Sequence, residues 1–173
     1  MFLWICIVVG VIFLDQLTKW LAVIFLEGGP SVPVISWFIQ FSYVENTGAA
    51  WGMFGEPGQR WIFLTLSSIA IVAILLYVFI AKPKSVLLRT ALAFIVGGGI
   101  GNMIDRVLLG YVVDFLDFTF MDFPVFNVAD SFVCIGAAMM MLYIILDTIK
   151  DYKNGKQKAD IAEGDRNDGG DEA

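Results

Sequence analysis

Four stretches of this sequence are apolar for long enough to cross a lipid bilayer, and nothing else in it constrains the fold as tightly. They run Phe2–Leu26, Trp61–Ala81, Leu87–Leu109 and Val128–Leu146. About 20 apolar residues, rising 1.5 Å each, cover the roughly 30 Å of hydrocarbon in a membrane. Backbone polar groups find no partners in lipid, so such segments must close their hydrogen bonds internally as helices. The expected fold is an all-α integral membrane protein of four transmembrane helices with a small extracytoplasmic β-containing segment. Composition agrees: 58% of residues are hydrophobic and the mean hydropathy is +0.78, well above a soluble domain. The net charge of −6 misleads, because seven of the 17 acidic residues lie after Ile149, with five of the 11 basic ones. Residues 1–149 are read as one membrane-embedded domain. Residues 150–173 form a polar tail without apolar periodicity, expected to be disordered and cytoplasmic.

The first apolar stretch lacks a basic flank, carries Asp15 and Lys19, and ends without a small-x-small site. It is read as a retained span, not a cleaved signal. Lys82, Lys84 and Arg89 lie between the second and third spans, and Lys150, Lys153, Lys156 and Lys158 follow the fourth. The positive-inside rule puts these basic clusters, and both termini, in the cytoplasm. The segments 27–60 and 110–127 then lie outside. In the first of these, Pro30 and Pro33 precede an alternating run that predicts one or two short strands at the membrane surface.

The chain contains no histidine, which removes Ser-His-Asp catalysis and histidine-based metal sites. Cys6 and Cys134 fall inside apolar runs and are expected to be small buried hydrophobes. Attention therefore moves to polar residues in or beside the spans, where each is expensive unless paired or hydrated. Asp15 and Lys19 stand at i and i+4 and share a helix face. A self-contained ion pair with Lys19 reaching outward, or a support beside a site, would each account for them. Asn46, ahead of Gly48, suits a turn, yet its amide also donates and accepts as a group positioning a peptide must. Gly97 and Gly101 form a small-xxx-small pair for close helix packing. Asn102 and Arg106 share a face near the outer interface, while Asp105 points elsewhere and is expected to be solvated. Asn127 and Asp130 have the spacing of a capping box at the start of the fourth span.

That cap leaves Asp114 unexplained. The stretch YVVDFLDFTFMDFPVFNVADSF, residues 111–132, holds four aspartates among phenylalanines with no lysine or arginine. Two carboxylates brought close cannot both ionise cheaply, so the pair shares a proton. One member can then activate water while the other polarises a carbonyl, without any cofactor. Asp114 and Asp130 are expected at the outer ends of the antiparallel third and fourth spans. Asp117 and Asp122 are expected to be solvated loop acids. Three rivals stand beside this: a small proton-coupled carrier relaying through Asp15, Asp105 and Asp130, a Ser/Lys protease using Lys19 and Ser131, and a structural membrane adaptor.

The ordered motifs DQLTK (15–19), NTGAAWG (46–52), GNMIDR (101–106), VVDFLD (112–117) and FNVAD (126–130) closely resemble the lipoprotein signal peptidase family, also called signal peptidase II. The resemblance runs from about Trp4 to Asp147. It implies a monomeric, multi-pass aspartic endopeptidase of the bacterial cytoplasmic membrane, with its site near the outer leaflet. Its substrates would be prolipoproteins, cut just before a cysteine that bears diacylglycerol, with no metal, cofactor or nucleic acid involved. Carried over by residue, Asp114 and Asp130 match the catalytic dyad and Asn127 a residue supporting it or binding substrate. Asn46, Asn102 and Arg106 match ligands of the substrate backbone or of inhibitors such as globomycin. Asp15 and Lys19 match the first motif, a support beside the site. Trp37, Phe38, Trp51 and Phe54 would lie on the interface and close over the substrate.

Overall fold

A computed structural model describes residues 2–48 and 60–168. These form helix α1 (Phe2–Leu26), strands β1 (Val32–Ile35) and β2 (Ile39–Asn46), helices α2 (Arg60–Ala81) and α3 (Val86–Leu108), strand β3 (Val112–Phe118) and helix α4 (Val128–Asp168). All four helices are long and apolar enough to cross a membrane. Their apolar surface faces outward: Phe13, Trp20, Phe25, Leu66 and Ile80 are all exposed, as befits a helix bundle solvated by lipid.

Helix α1 buries Trp4, Val8, Val11, Asp15, Lys19, Ala22 and Leu26, a stripe of three- and four-residue steps along one face. Helix α3 packs against the other three helices, and its glycines let it do so. A Cβ on Gly97 would fall 2.8 Å from that of Val11 on α1. A Cβ on Gly98 would meet the Ala129 carbonyl of α4, and one on Gly101 the Asp15 carboxylate. The small-xxx-small expectation holds, with contacts to two different helices. Trp4, Val8, Ile71, Val78, Leu88, Leu92 and Val96 form the core between the helices. Cys6 and Cys134 are free and exposed, contrary to the expectation of burial, because the outside of a lipid-solvated bundle is itself apolar.

The three strands form one antiparallel sheet in the order β1-β2-β3. The first connecting segment, where the sequence predicts one or two short strands, holds two of them. The third, β3, is a correction to the reading of residues 110–127 as a loop. Gly110, at φ 90°, turns the chain out of α3 in a backbone geometry that favours glycine. Val112, Val113 and Phe115 then supply β-forming side chains opposite the free edge of β2. Asp114 therefore sits in a strand, not at a helix end.

The far end of α4 is a second difference. The backbone stays helical to Asp168, well past the expected exit at Leu146 and through the tail expected to be disordered. Proline, the strongest helix breaker, is absent from this stretch, and its four lysines are good helix formers.

Candidate active site

The site is built on a buried ionic network at the sheet end of the bundle. Lys19 Nζ lies 3.0 Å from Asp15 Oδ2 and 2.9 Å from Asp105 Oδ2, and donates to Asn102 Oδ1 at 2.8 Å. Three acceptors thus match its three protons. Gln16 Nε2 donates to Asp105 Oδ1 at 2.9 Å and to Asp15 Oδ2 at 3.2 Å. Both carboxylates also accept from the backbone of neighbouring elements. Ala129 N, in the first turn of α4, donates to Asp15 Oδ1 at 2.9 Å, and Val113 N on β3 donates to Asp105 Oδ2 at 3.1 Å. One network therefore fixes α1, α3, β3 and the start of α4 relative to each other.

One of two open readings is decided here, and one expectation is corrected. Lys19 does not reach outward; it is 3% exposed and bonded on every proton. Asp105 is not solvated; it is also 3% exposed. Asp105 follows Asn102 by three residues, and i,i+3 neighbours share a helix face as i,i+4 neighbours do. Gln16 was overlooked, although it lies inside the DQLTK motif beside Asp15.

Above this floor, two asparagines connect Asp114 to Asp130 and a third holds Asp114 from β2. Asn127 Nδ2 donates to Asp114 Oδ1 at 2.6 Å and to Asn102 Oδ1 at 3.1 Å. Asn46 Nδ2, at the end of β2, donates to Asp114 Oδ2 at 2.8 Å. Asn102 Nδ2 donates to Asp130 Oδ1 at 2.7 Å. The expected capping box is present: Asp130 N donates to Asn127 Oδ1 at 2.9 Å, and Asn127 N to Asp130 Oδ2 at 3.3 Å. Asn127 is fully buried and Asp114 only 1% exposed. Burial raises the Asp114 carboxyl to about 6 and the charge of Asp130 adds to the rise, against the hydrogen bonds from Asn46 and Asn127.

Arg106 completes the set. It donates to the carbonyls of Asn102 at 3.3 Å and Gly48 at 3.5 Å, and its guanidinium lies 5.2 Å from the centre of the Phe63 ring. The charges of both Asp130 and Asp114 act on it, and that of Lys19 acts on Asp114. The aspartate-rich stretch has no basic residue in sequence, yet two cations lie near its carboxylates in space. Asp117 is also corrected: it lies in β3, half-buried, with Oδ2 accepting from Gln40 Nε2 at 2.7 Å and Ser42 Oγ at 2.8 Å. Asp122 is exposed, as expected. Trp51 and Phe54 lie outside the described residues, which contain no group of three or more His, Cys, Asp or Glu side chains placed to hold a metal ion.

A sequence profile of signal peptidase (SPase) II matches residues 7–146. The chain belongs to the signal peptidase II family. It is 47% identical to the lipoprotein signal peptidase of Caldanaerobacter subterraneus subsp. tengcongensis over 152 residues, covering 87% of this chain and 97% of that protein. The lipoprotein signal peptidase of Brevibacillus brevis is 38% identical over 150 residues, covering 86% of this chain and 99% of the other. A solved bacterial membrane enzyme superposes with a TM-score of 0.79 at 33% identity, over 86% of this chain and 90% of that one. This signal peptidase II is thus a multi-pass membrane protein and a peptidase of the aspartic class, which decides against the carrier, the Ser/Lys protease and the structural adaptor.

Proposed function

We propose that the enzyme removes the signal peptide from diacylglyceryl-modified prolipoproteins, cutting before the lipidated cysteine, with Asp114 and Asp130 as its catalytic dyad. The observation that carries this reading is the position of Asn127. Its side chain bonds Asp114 and its backbone bonds Asp130, so one buried residue fixes both carboxylates. The raised Asp114 carboxyl, at about 6, suits a pair that retains one proton near neutral pH.

The ionised member takes a proton from water as the oxygen attacks the scissile carbonyl. The protonated member donates to the carbonyl oxygen as negative charge develops there. Collapse of the tetrahedral intermediate breaks the C–N bond, and a dyad proton passes to the leaving cysteine amine. Asn46, Asn102 and Asn127 hold the carboxylates in place. Arg106 offsets their charge and, with its free donors, receives the substrate backbone. Asp15 and Lys19, with Asp105, form the rigid base.

The sheet end of the bundle faces outward in this reading and both termini face the cytoplasm. That places the dyad near the outer leaflet, where a diacylglyceryl anchor holds the cut site. The enzyme works as a monomer among membrane lipids, with residues 150–173 dispensable for chemistry. The deciding experiment incubates purified protein with a diacylglyceryl-modified prolipoprotein. Asp114→Asn and Asp130→Asn each abolish cleavage while the proteins stay folded; activity retained in either refutes the dyad.

A further inference from the structure

Strand β3 directs two aspartates, not one, to the face of the sheet that carries the site. Val113 and Phe115 pack with Ala22 and Leu26 on the α1 side, so Asp114 between them points to the opposite face. Regular alternation would return Asp117, three residues further on, to the α1 side. A bulge prevents this. Phe115 N and Leu116 N both donate to the Phe126 carbonyl, at 3.0 and 2.8 Å, placing two residues opposite one. Leu116 pairs across from Phe41, whose ring lies 6.2 Å from that of Phe115, so both bulged residues face α1. Asp117, opposite Gln40, therefore shares the face of Asp114. Asp114 pairs with Val44 and Asp117 with Gln40, so the two aspartates stand three residues apart along β3, about 10 Å at roughly 3.3 Å per residue.

The Asp117 carboxylate is held but not saturated. Oδ2 accepts from Gln40 and Ser42, and Ser42 Oγ is 2.8 Å from Ser31 Oγ on the other side. These contacts fix the carboxylate against β2 and, through Ser42, against the residue that precedes β1. Oδ1 has no hydrogen-bond partner among the described residues. An anchored, half-buried acceptor beside the site is suited to a neutral donor of fixed geometry, and a peptide N–H is the donor every substrate carries. We propose that Asp117 is a substrate-positioning residue whose Oδ1 accepts a hydrogen bond from a backbone N–H of the prolipoprotein, about three residues from the scissile bond. An extended chain advances about 3.3 Å per residue, so the roughly 10 Å between the aspartates sets that register. The inference rests on the reading of Asp114 and Asp130 as the dyad.

The test uses diacylglyceryl-modified prolipoprotein peptides, each N-methylated at one backbone amide from three residues before the cut to three after it. One position in the series lowers kcat/KM of the unaltered enzyme at least tenfold, through KM. The same methyl group has no further effect on Asp117→Ala, while Asp117→Asn, which keeps an acceptor oxygen, retains most of the discrimination. If every position affects unaltered enzyme and variants alike, the proposal is wrong. It is equally wrong if Asp117→Ala and Asp117→Asn lower only kcat and melting temperature, which marks a brace between strands. Cleavage by Asp114→Asn would instead overturn the dyad itself, so the two failures are told apart.

Discussion

Asn127 and Asp130 cap each other: Asp130 N donates to Asn127 Oδ1 at 2.9 Å, and Asn127 N donates to Asp130 Oδ2 at 3.3 Å. The same Asn127 side chain donates to Asp114 at 2.6 Å. The cap and the site connection separate by mutation. Asn127→Ser keeps a capping hydroxyl but is too short to hold Asp114, so melting temperature stays close to that of the unaltered enzyme while cleavage falls at least a hundredfold. Asn127→Ala loses both, with a further stability cost of about 1 kcal/mol for the cap. Equal activity in Asn127→Ser and the unaltered enzyme would show that the Asp114 contact is idle.

Asp114 makes stability depend on pH. Its carboxyl rises from 3.8 to about 6 on folding, so the folded state binds more protons than the unfolded state between those values. The favourable contribution is complete below pH 3.8 and is lost as pH rises through 6, by about 3 kcal/mol in all. The expected observation is a fall in melting temperature from pH 4 to pH 7 that shrinks in Asp114→Asn. A slope identical in the two proteins would assign the dependence to other groups.

Gly101 sets how closely α1 approaches α3. A Cβ there would run into the Asp15 carboxylate, whereas a Cβ on Gly99 meets only the end of the Ile71 side chain, at 3.3 Å. Gly101→Ala is expected to lose about 1–3 kcal/mol of stability and to impair cleavage through the Asp15–Lys19 network. Gly99→Ala should behave nearly as the unaltered protein. Melting curves and cleavage rates for the two variants decide the matter, and equal damage from both would point to general crowding instead.

Closure over the substrate is expected of the aromatic residues after β2. Combined Trp51→Ala and Phe54→Ala substitution should lower cleavage at equal expression, because bulk water would reach the dyad and weaken its electrostatics. Unchanged cleavage would remove these side chains from the mechanism.

Much of this was legible in the sequence because lipid imposes simple rules. Apolar length gave the four helices, and the i,i+4 spacing of Asp15 and Lys19 their ion pair. The Asn-x-x-Asp spacing at 127–130 gave the cap. Spacing along α3 sets Asp105 off the face shared by Asn102 and Arg106, and its partners on α1 come alongside only on folding. Asp117 reads as a loop acid in the sequence because β3 forms only when β2 lies next to it. In the same way, the missing cations of the aspartate-rich stretch come from other helices, as Arg106 and Lys19.

What the sequence alone determined is the number of spans, the residue types of the site and their order along the chain. These follow from hydrophobic length and local spacing, which are properties of neighbouring residues. What only the tertiary structure decided is which polar groups meet. Gly101 lets Asp15 come close, Asn127 joins Asp114 to Asp130, and the Phe115–Leu116 bulge turns Asp117 to the side of Asp114. Each of these depends on strand register and helix approach, which are fixed by packing between segments far apart in the chain.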